Sequence, residues 1–344
     1  MKLNDALIEH YRTAKIPLYE LKKLVNLDPE YLKEKSTWYD INGNLHYFKK
    51  RDDLRLFTEL FFTEFAREIV GLNSVEYEVA HVRTIDPVVS KKEEEHGIGL
   101  LSLNFQTQDN DYYLVRELMD SSISTLRAYG DYSLVTLLTF FKSTVAEEEY
   151  KNIEDFLVKL FIADGFTMQL DRNYNNIGFQ IPKIDGVTYK QRLNPEMLER
   201  LKKADGNVVL EDSTLKIRHM VPSKVYDSER ILGIDHNFVF LYKPGDVWTP
   251  LFPYNKDLLF TSQEQAKETS EAYDGLDPNL VELFIDFPTY RPLLERLAYD
   301  DEYKKILERY IGSAKPIQLS DQERENVSLV MESRRKEFQK VLSL

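Results

Sequence analysis

The chain has 344 residues, enough for one large domain or for two lobes that share a cleft. Its formal net charge of −13 argues against a general nucleic-acid binder, because neutralising phosphate groups requires a basic surface. An anionic nucleotide would need a local basic cleft or a bridging metal ion. The absence of cysteine excludes disulfides, thiolate nucleophiles and thiolate metal sites.

The first 35 residues are predicted to form a helical extension of one or two short helices. The second of these carries Leu21, Leu24 and Val25. The N-terminus has no apolar run of signal-peptide length, and no segment of the chain is apolar enough for a membrane helix. We therefore expect a cytoplasmic protein with no membrane partner, with export by an unfamiliar signal as the open alternative.

Two aromatic-rich runs, 38–41 and 45–49, follow this extension and predict a β-hairpin. They are separated by Asn42-Gly43-Asn44, a strong signal for a tight turn. Lys49 ends the second run, and Lys50 points to the opposite face because side chains alternate along a strand.

A long helix is predicted next, over 54–70. Large apolar residues recur along it every four positions, at Phe57, Phe61, Phe65 and Ile69. Gly71 is placed to end the helix. Glu59 lies within it.

The remaining pattern predicts an α+β protein with two lobes, a small strand-rich one that contains this helix and a larger helical one. Strands are predicted over 74–82, 98–106 and 112–118, with a charged loop at 91–95. Helices are predicted over 133–141, 153–163, 278–285, 291–298, 302–311 and 321–342. A strand-rich lobe of residues 36–120 would thus precede a larger helical lobe of residues 121–344, with the junction near 118–122.

The polar loop Asp171-Arg172-Asn173-Tyr174-Asn175-Asn176 is the main candidate for catalytic chemistry. It follows the helix that ends near Ala163 and precedes a short strand. In phosphoryl transfer, an Asp in such a loop aligns the attacking hydroxyl, and the Asn carbonyl oxygen helps to hold Mg²⁺. Asp171 and Asn176 converge only if the loop curls, and a simple polar turn is the alternative.

Lys49 and Glu59 form the second half of this candidate site. A nucleotide site needs a cation fixed on a strand against the phosphates, and an acid on a nearby helix can orient that cation. An exposed strand lysine and a solvated helix face, at Glu59 or Glu64, are the alternatives.

The order of these residues resembles the HipA-like serine/threonine kinases of bacteria, including the compact CtkA-like branch. The family's strand lysine, helix acid and later Asp correspond to Lys49, Glu59 and Asp164, and its Asp-Arg-His-x-x-Asn loop to residues 171–176. The resemblance covers about residues 39–260 and implies a bilobal, protein-kinase-like fold. It also implies an ATP- and Mg-dependent transfer of phosphate to a protein hydroxyl, autophosphorylation included. It does not name the protein substrate, the biological role or the oligomeric state.

This sequence departs from the family at two positions. Asn173 stands where the family has His, a mild change. Pro253 stands where the family has its metal-binding Asp, and proline has no side-chain oxygen to coordinate Mg²⁺. Asn255 or Asp257 would have to substitute. A pseudokinase, a binding or scaffolding module with weak or no turnover, is therefore the alternative that the resemblance leaves open.

Glu117 and Met119 are candidates for the hinge whose backbone meets adenine, and a strand end next to a helix start is the alternative. No glycine-rich phosphate loop precedes Lys49, and the six histidines show no metal-binding spacing. A helical interaction protein unrelated to kinases remains as a third interpretation, which requires the order of the candidate residues to arise by chance.

Overall fold

The computed structural model describes residues 16–23, 36–39, 45–50, 53–85, 94–103, 110–115, 133–144, 147–174, 176–182, 231–233, 245–310, 317 and 319–344. The first part of the chain forms a closed five-stranded barrel with the strand order β1-β2-β3-β5-β4. Its strands are β1 (Leu18–Lys23), β2 (Ser36–Tyr39), β3 (Leu45–Lys50), β4 (Glu78–Ile85) and β5 (Glu94–Leu103). Neighbours are antiparallel except β1 and β4, which pair in parallel and close the barrel.

Strand β1 corrects the sequence prediction, because the helix expected around Leu21 is a strand. Leu18 pairs with His81 and Lys22 with Ile85, so β1 lies along β4. This partner is far away in the sequence, and non-local pairing of this kind overrides local spacing. Leu24 and Val25 lie outside the described residues.

The predicted hairpin is confirmed, with two changes further along. Ser36 pairs with Phe48 and Tyr39 with Leu45, which makes β2 and β3 antiparallel. Strand β4 starts later than expected, and β5 starts earlier, at Glu94, so the end of the predicted loop at 91–95 is a strand.

Helix α1 (Asp53–Phe65) follows β3 and continues as a π-helical segment over Ala66–Val70. Its aromatic residues form a continuous stack, with ring centroids 5.9 Å apart for Phe57 and Phe61 and 5.7 Å apart for Phe61 and Phe65. Gly71 ends the helix with a left-handed φ of 76°, as predicted.

A second, three-stranded sheet has the order β6-β7-β8. Its strands are β6 (Asn110–Leu114), β7 (Ile177–Pro182) and β8 (Ile231–Gly233). Leu114 pairs with Gly178 and Gly233 with Ile177, so both neighbours meet β7 directly after Asn176. The predicted lobe junction near 118–122 lies outside the described residues.

Eight α-helices lie in the part of the chain that the structure describes, and seven of them follow the barrel. These seven are α2 (Leu134–Thr144), α3 (Glu147–Thr167), α4 (Gln263–Glu271), α5 (Pro278–Asp286), α6 (Arg291–Tyr299), α7 (Glu302–Tyr310) and α8 (Asp321–Leu342). The capping box predicted between Ser320 and Glu323 is present at the start of α8. None of the described helices has the length and apolarity needed to cross a membrane.

One apolar cluster of the described residues joins α1 to the helical part. The Phe65 and Phe166 rings stack 5.4 Å apart, and Phe166 in turn meets the edge of Phe338 at 5.2 Å. Phe161 of α3 packs against Trp248 at 4.9 Å. The predicted α+β organisation, a small strand-rich part with one main helix followed by a larger helical part, is confirmed.

Candidate functional site

Lys49 of β3 and Glu59 of α1 form a buried ion pair. The Lys49 Nζ lies 2.9 Å from the Glu59 Oε2, and the two side chains are 8% and 0% exposed. The Tyr77 ring lies under the ammonium, with its centroid 5.3 Å from Nζ. A buried charge is costly unless it is paired, and the pair therefore explains how both ions are accommodated. The structure thus brings together the two residues that the sequence selected.

The loop after α3 begins with a sharp change of direction. Met168 has a left-handed φ of 54°, and the Gln169 N–H donates back to the Asp164 carbonyl at 2.9 Å. The Trp248 indole N–H donates to the Gln169 carbonyl at 3.2 Å. These contacts end the helix and set the direction of the backbone that leads to Asp171.

Arg172 anchors the loop to the helix that precedes it. Its Nε and Nη2 donate to the two oxygens of Asp164 at 2.8 and 2.9 Å, and both side chains are buried. Burial raises the pKa of Asp164, and the adjacent guanidinium opposes that shift. Nη1 of Arg172 also donates to the Asn176 carbonyl at 3.2 Å. The guanidinium therefore holds both ends of the loop.

Arg172 also connects the loop to α1. Its guanidinium carbon lies 5.5 Å from the centroid of the Phe62 ring. Phe62 follows Glu59 by three positions on the same helix, and residues at that spacing lie on neighbouring faces. The two halves of the candidate site thus meet through this contact.

The loop curls, as convergence of Asp171 and Asn176 requires. The Asn176 Nδ2 donates to the Asp171 carbonyl, and the Asn176 Oδ1 accepts from the Asn173 N–H at 2.9 Å. The Gln169 Oε1 accepts from the Asp171 N–H at 3.1 Å. Asp171 itself is partly exposed, whereas Asn176 is buried. The side-chain amide of Asn176 therefore fixes the backbone that presents Asp171.

Asn173, which stands where the resembled family has His, contributes to the same curl. Its Nδ2 donates to the Asp171 carbonyl at 3.0 Å. Asn173 thus makes a local hydrogen bond within the loop.

The segment around Pro253 packs next to this loop and caps α2. The Leu134 N–H donates to the Pro253 carbonyl at 2.9 Å, which satisfies one of the unpaired donors of the first helical turn. Phe252 contacts Tyr174 with ring centroids 5.7 Å apart, and the Tyr174 hydroxyl donates to the Ser133 carbonyl at 3.3 Å. Pro253 is therefore a buried residue whose carbonyl group caps α2.

Asn255 and Asp257, the two candidate substitutes for the missing metal ligand, lie on a 3₁₀ turn. The Asn255 Oδ1 accepts from the Asp257 N–H at 3.3 Å, so Asn255 caps the turn Lys256–Leu258. Asn255 is partly buried and Asp257 is exposed. Within the described ranges, no group of three or more His, Asp or Glu side chains could hold a metal ion.

The hinge candidates Glu117 and Met119 lie outside the described residues. Conversely, the structure adds three residues that the sequence interpretation did not select: Tyr77 beside the ion pair, and Gln169 and Trp248 at the loop. No local sequence signal marks them, because each acts through a partner remote in the sequence or through a backbone turn.

The fold and the site together define an α+β protein with the kinase-like order of elements: a lysine strand, a glutamate helix, and then a helical part with a curled Asp–Asn loop. No protein-family model matches the sequence, and no curated protein matches it. Among solved structures, the chain is similar to the crystal structure of a Helicobacter pylori proinflammatory kinase, CtkA. The match covers 94% of this chain and 96% of that chain, with 12% sequence identity and a TM-score of 0.48.

Proposed function

We propose that the protein is a phosphotransferase of the HipA-like type, which binds ATP with Mg²⁺ and phosphorylates a serine or threonine of a protein, itself included. The observation that carries this proposal is the buried ion pair between Lys49 and Glu59. A cation on a strand, oriented by an acid on the following helix, is the arrangement by which protein kinases bind nucleotide phosphates.

The residues fit a nucleotide phosphate at Lys49. An ammonium group has three N–H donors, so it can bind phosphate oxygens and keep its hydrogen bond to Glu59. Glu59 and the Tyr77 ring fix the ammonium in position. The barrel makes β3 rigid through pairing with both β2 and β5.

The loop supplies the second set of groups. The Asp171 carboxylate would accept the proton of the attacking hydroxyl. At the same time the hydroxyl oxygen would form its bond to the γ-phosphorus, and ADP would leave. The Asn176 Oδ1 has a second lone pair besides the one that accepts from Asn173, and that lone pair suits a hard cation. Bound Mg²⁺ would neutralise the phosphate charge.

Phosphate transfer from labelled ATP, with Mg²⁺ or Mn²⁺, tests this proposal. We expect label on the protein itself or on one of a panel of basic and neutral proteins, and its loss in Asp171→Ala. Asp300→Ala, which removes an exposed carboxylate at the end of α6, is the matched control and should transfer normally. Absence of transfer by the unaltered protein would refute the enzymatic proposal.

The segment at Pro253 favours a second candidate function, a pseudokinase that binds nucleotide without turnover. The Pro253 carbonyl caps α2, and neither neighbouring candidate is a buried carboxylate. The metal site would then depend on Asn176 and on one weak substitute.

A thermal-shift titration separates the two candidates. A ligand that binds the native state raises the melting temperature by mass action. A magnesium-dependent shift with ATP but without labelled product supports the pseudokinase, and a shift with product supports the kinase. The absence of any shift would count against both.

A further inference from the structure

Helix α1, which carries Glu59, is surrounded by protein over two of its turns. A helix on a protein surface normally exposes one face. In α1 the consecutive positions 56–63 are all buried, and two of them are threonines. The helix therefore has no solvent face over these two turns.

Helix α3 and the loop of residues 171–176 cover one side of α1. The Phe65 ring stacks on Phe166 of α3 with an interplanar angle of 6°, and the Arg172 guanidinium lies over the Phe62 ring. Any displacement of α1 would separate these aromatic contacts and open the apolar core.

Helix α7 covers another side of α1 through an ion-pair network. The Arg309 guanidinium donates to Glu64 at 2.8 Å and to both carboxylate oxygens of Glu68, at 2.5 and 2.8 Å. The Tyr310 hydroxyl donates to Glu64, and the Tyr310 ring meets the edge of Phe57 at 6.3 Å. Arg309 and Tyr310 thus both bind the last turn of α1 at Glu64, and Arg309 also binds the π-helical segment at Glu68.

The C-terminal end of the same helical unit is held from α6. The Arg296 Nη1 donates to the Ile69 carbonyl at 2.7 Å, and the Arg296 Nε pairs with Glu302 at 2.6 Å. A cation at a helix C-terminus stabilises the exposed carbonyls and the helix dipole. Helices α6 and α7 therefore both bind the helical unit that consists of α1 and the π-helical segment after it.

We propose that the helical part of the molecule holds α1 permanently in the position that pairs Glu59 with Lys49, with Arg309 as the positioning residue. The site is then assembled before any nucleotide arrives, and movement of this helix does not regulate it. The meaning for regulation rests on the proposed function, whereas the fixed position of α1 can be tested by itself.

Amide hydrogen exchange of the nucleotide-free protein provides the first test. Amides that exchange only on global unfolding share the highest protection, and a mobile element exchanges faster through local opening. We expect the amides of residues 57–63 to be as protected as those of residues 157–163 in α3, and to remain so with an ATP analogue and Mg²⁺. Faster exchange of α1 before ligand is added, or slower exchange of α1 alone afterwards, would overturn the proposal.

Arg309→Ala tests the positioning residue, with Arg324→Ala as control because the Arg324 ion pair with Asp321 stays within α8. We expect Arg309→Ala to speed exchange of α1 relative to α3 by roughly threefold to tenfold, since exposed ion pairs contribute little each. Arg309→Lys, which keeps the charge, should restore part of the protection. Equal exchange in Arg309→Ala and Arg324→Ala would overturn the role of Arg309.

ATP-dependent thermal shifts of the Arg309 variants test the positioning role separately from the proposed function. If the protein binds ATP, Arg309→Ala should raise the ATP concentration needed for half of the thermal shift, and Arg309→Lys should lower it again. A weaker ATP response without faster exchange of α1 would contradict positioning through the helix. If no ATP response exists, the proposed function fails, and the exchange experiment still decides whether α1 is fixed.

Discussion

Lys49 and Glu59 approach each other to 2.9 Å in the interior of the protein, although they belong to different elements. Glu59 is completely buried, so the carboxylate depends on this lysine for its charge to be tolerated. The pair therefore couples the stability of the fold to the integrity of the candidate nucleotide site.

Replacing one member of this pair should destabilise the protein more than replacing both. We expect Lys49→Met to lower the free energy of unfolding by about 3–5 kcal/mol, because it removes the cation beside the buried Glu59 carboxylate. The double variant Lys49→Met/Glu59→Leu should recover a large part of that loss. Urea unfolding measures both.

The adjacent lysine provides the control for this experiment. Lys50→Met changes the neighbouring position of the same strand and should preserve both stability and the ATP-dependent thermal shift, whereas Lys49→Met should abolish the shift. A loss of the shift in Lys50→Met alone would mean that Lys50, and not Lys49, binds the phosphates.

The Asp164–Arg172 pair should behave in the same way at the base of the loop. Asp164→Asn removes the carboxylate charge that pairs with the buried guanidinium, and we expect a loss of about 3–5 kcal/mol in the free energy of unfolding. Asp164→Leu/Arg172→Met should cost less than the sum of the single variants, as a double-mutant cycle would measure. Additive losses would show that the two side chains do not act as a unit.

Gly99 of β5 should be intolerant of even a methyl group. A Cβ at this position would lie 2.2 Å from the Lys49 carbonyl oxygen, a backbone atom that can yield only if β3 moves. We therefore expect Gly99→Ala to lower the free energy of unfolding by about 1–3 kcal/mol, which a lower urea midpoint would show. The same variant should also weaken ATP binding.

Gly165→Ala is the matched control for Gly99→Ala. At Gly165 in α3 the nearest atom to an added Cβ is the Leu280 Cδ2 at 3.1 Å, the far end of a side chain. The helix propensity of alanine also favours this change by about 1 kcal/mol, so the net effect should be small. Equal losses in the two variants would argue against the close approach at β3.

Asn255→Asp should strengthen the response to magnesium. It replaces an amide oxygen by a carboxylate of the same shape next to Pro253, and hard cations prefer charged oxygen ligands. We expect a larger magnesium-dependent thermal shift with ATP, while Asp257→Asn leaves the shift unchanged because Asp257 is exposed. A loss of the shift in Asp257→Asn would assign the metal to Asp257 instead.

Acid should remove the contribution of the Glu68 ion pair with Arg309 to the stability of the fold. The hydrogen bond from Arg309 holds the pKa of Glu68 below its ordinary value of 4.5. A carboxyl with a lowered pKa stabilises the fold above its unfolded-state value and loses that contribution as the pH falls through its folded-state value. Urea midpoints of the protein and of Glu68→Gln should therefore differ slightly above about pH 5 and converge only as the pH falls through the lowered folded-state pKa of Glu68. A difference that grows in acid would refute this.

Short-range patterns in the sequence predicted the elements well where local chemistry decides. The four-residue spacing of Phe57, Phe61 and Phe65 predicted α1, and Gly71 predicted its end. The Asn-Gly-Asn turn predicted the hairpin of β2 and β3, because turn geometry depends on only a few residues.

Local patterns failed where a remote partner decides the conformation. Leu18–Lys23 pairs with β4 along its length and is therefore a strand, although its spacing indicated a helix. Similarly, nothing in the sequence near Glu64 or Glu68 indicates that Arg309 binds both.

The sequence by itself determined the order of the candidate residues: Lys49 before Glu59, then Asp164 and the loop from Asp171 to Asn176. Only the tertiary structure decided that Lys49 and Glu59 are paired and buried, that the loop curls around Arg172, and that α1 is enclosed on several sides. The physical reason is that residue spacing sets the direction of a side chain within its own element. Burial and charge pairing depend instead on which distant elements pack against it.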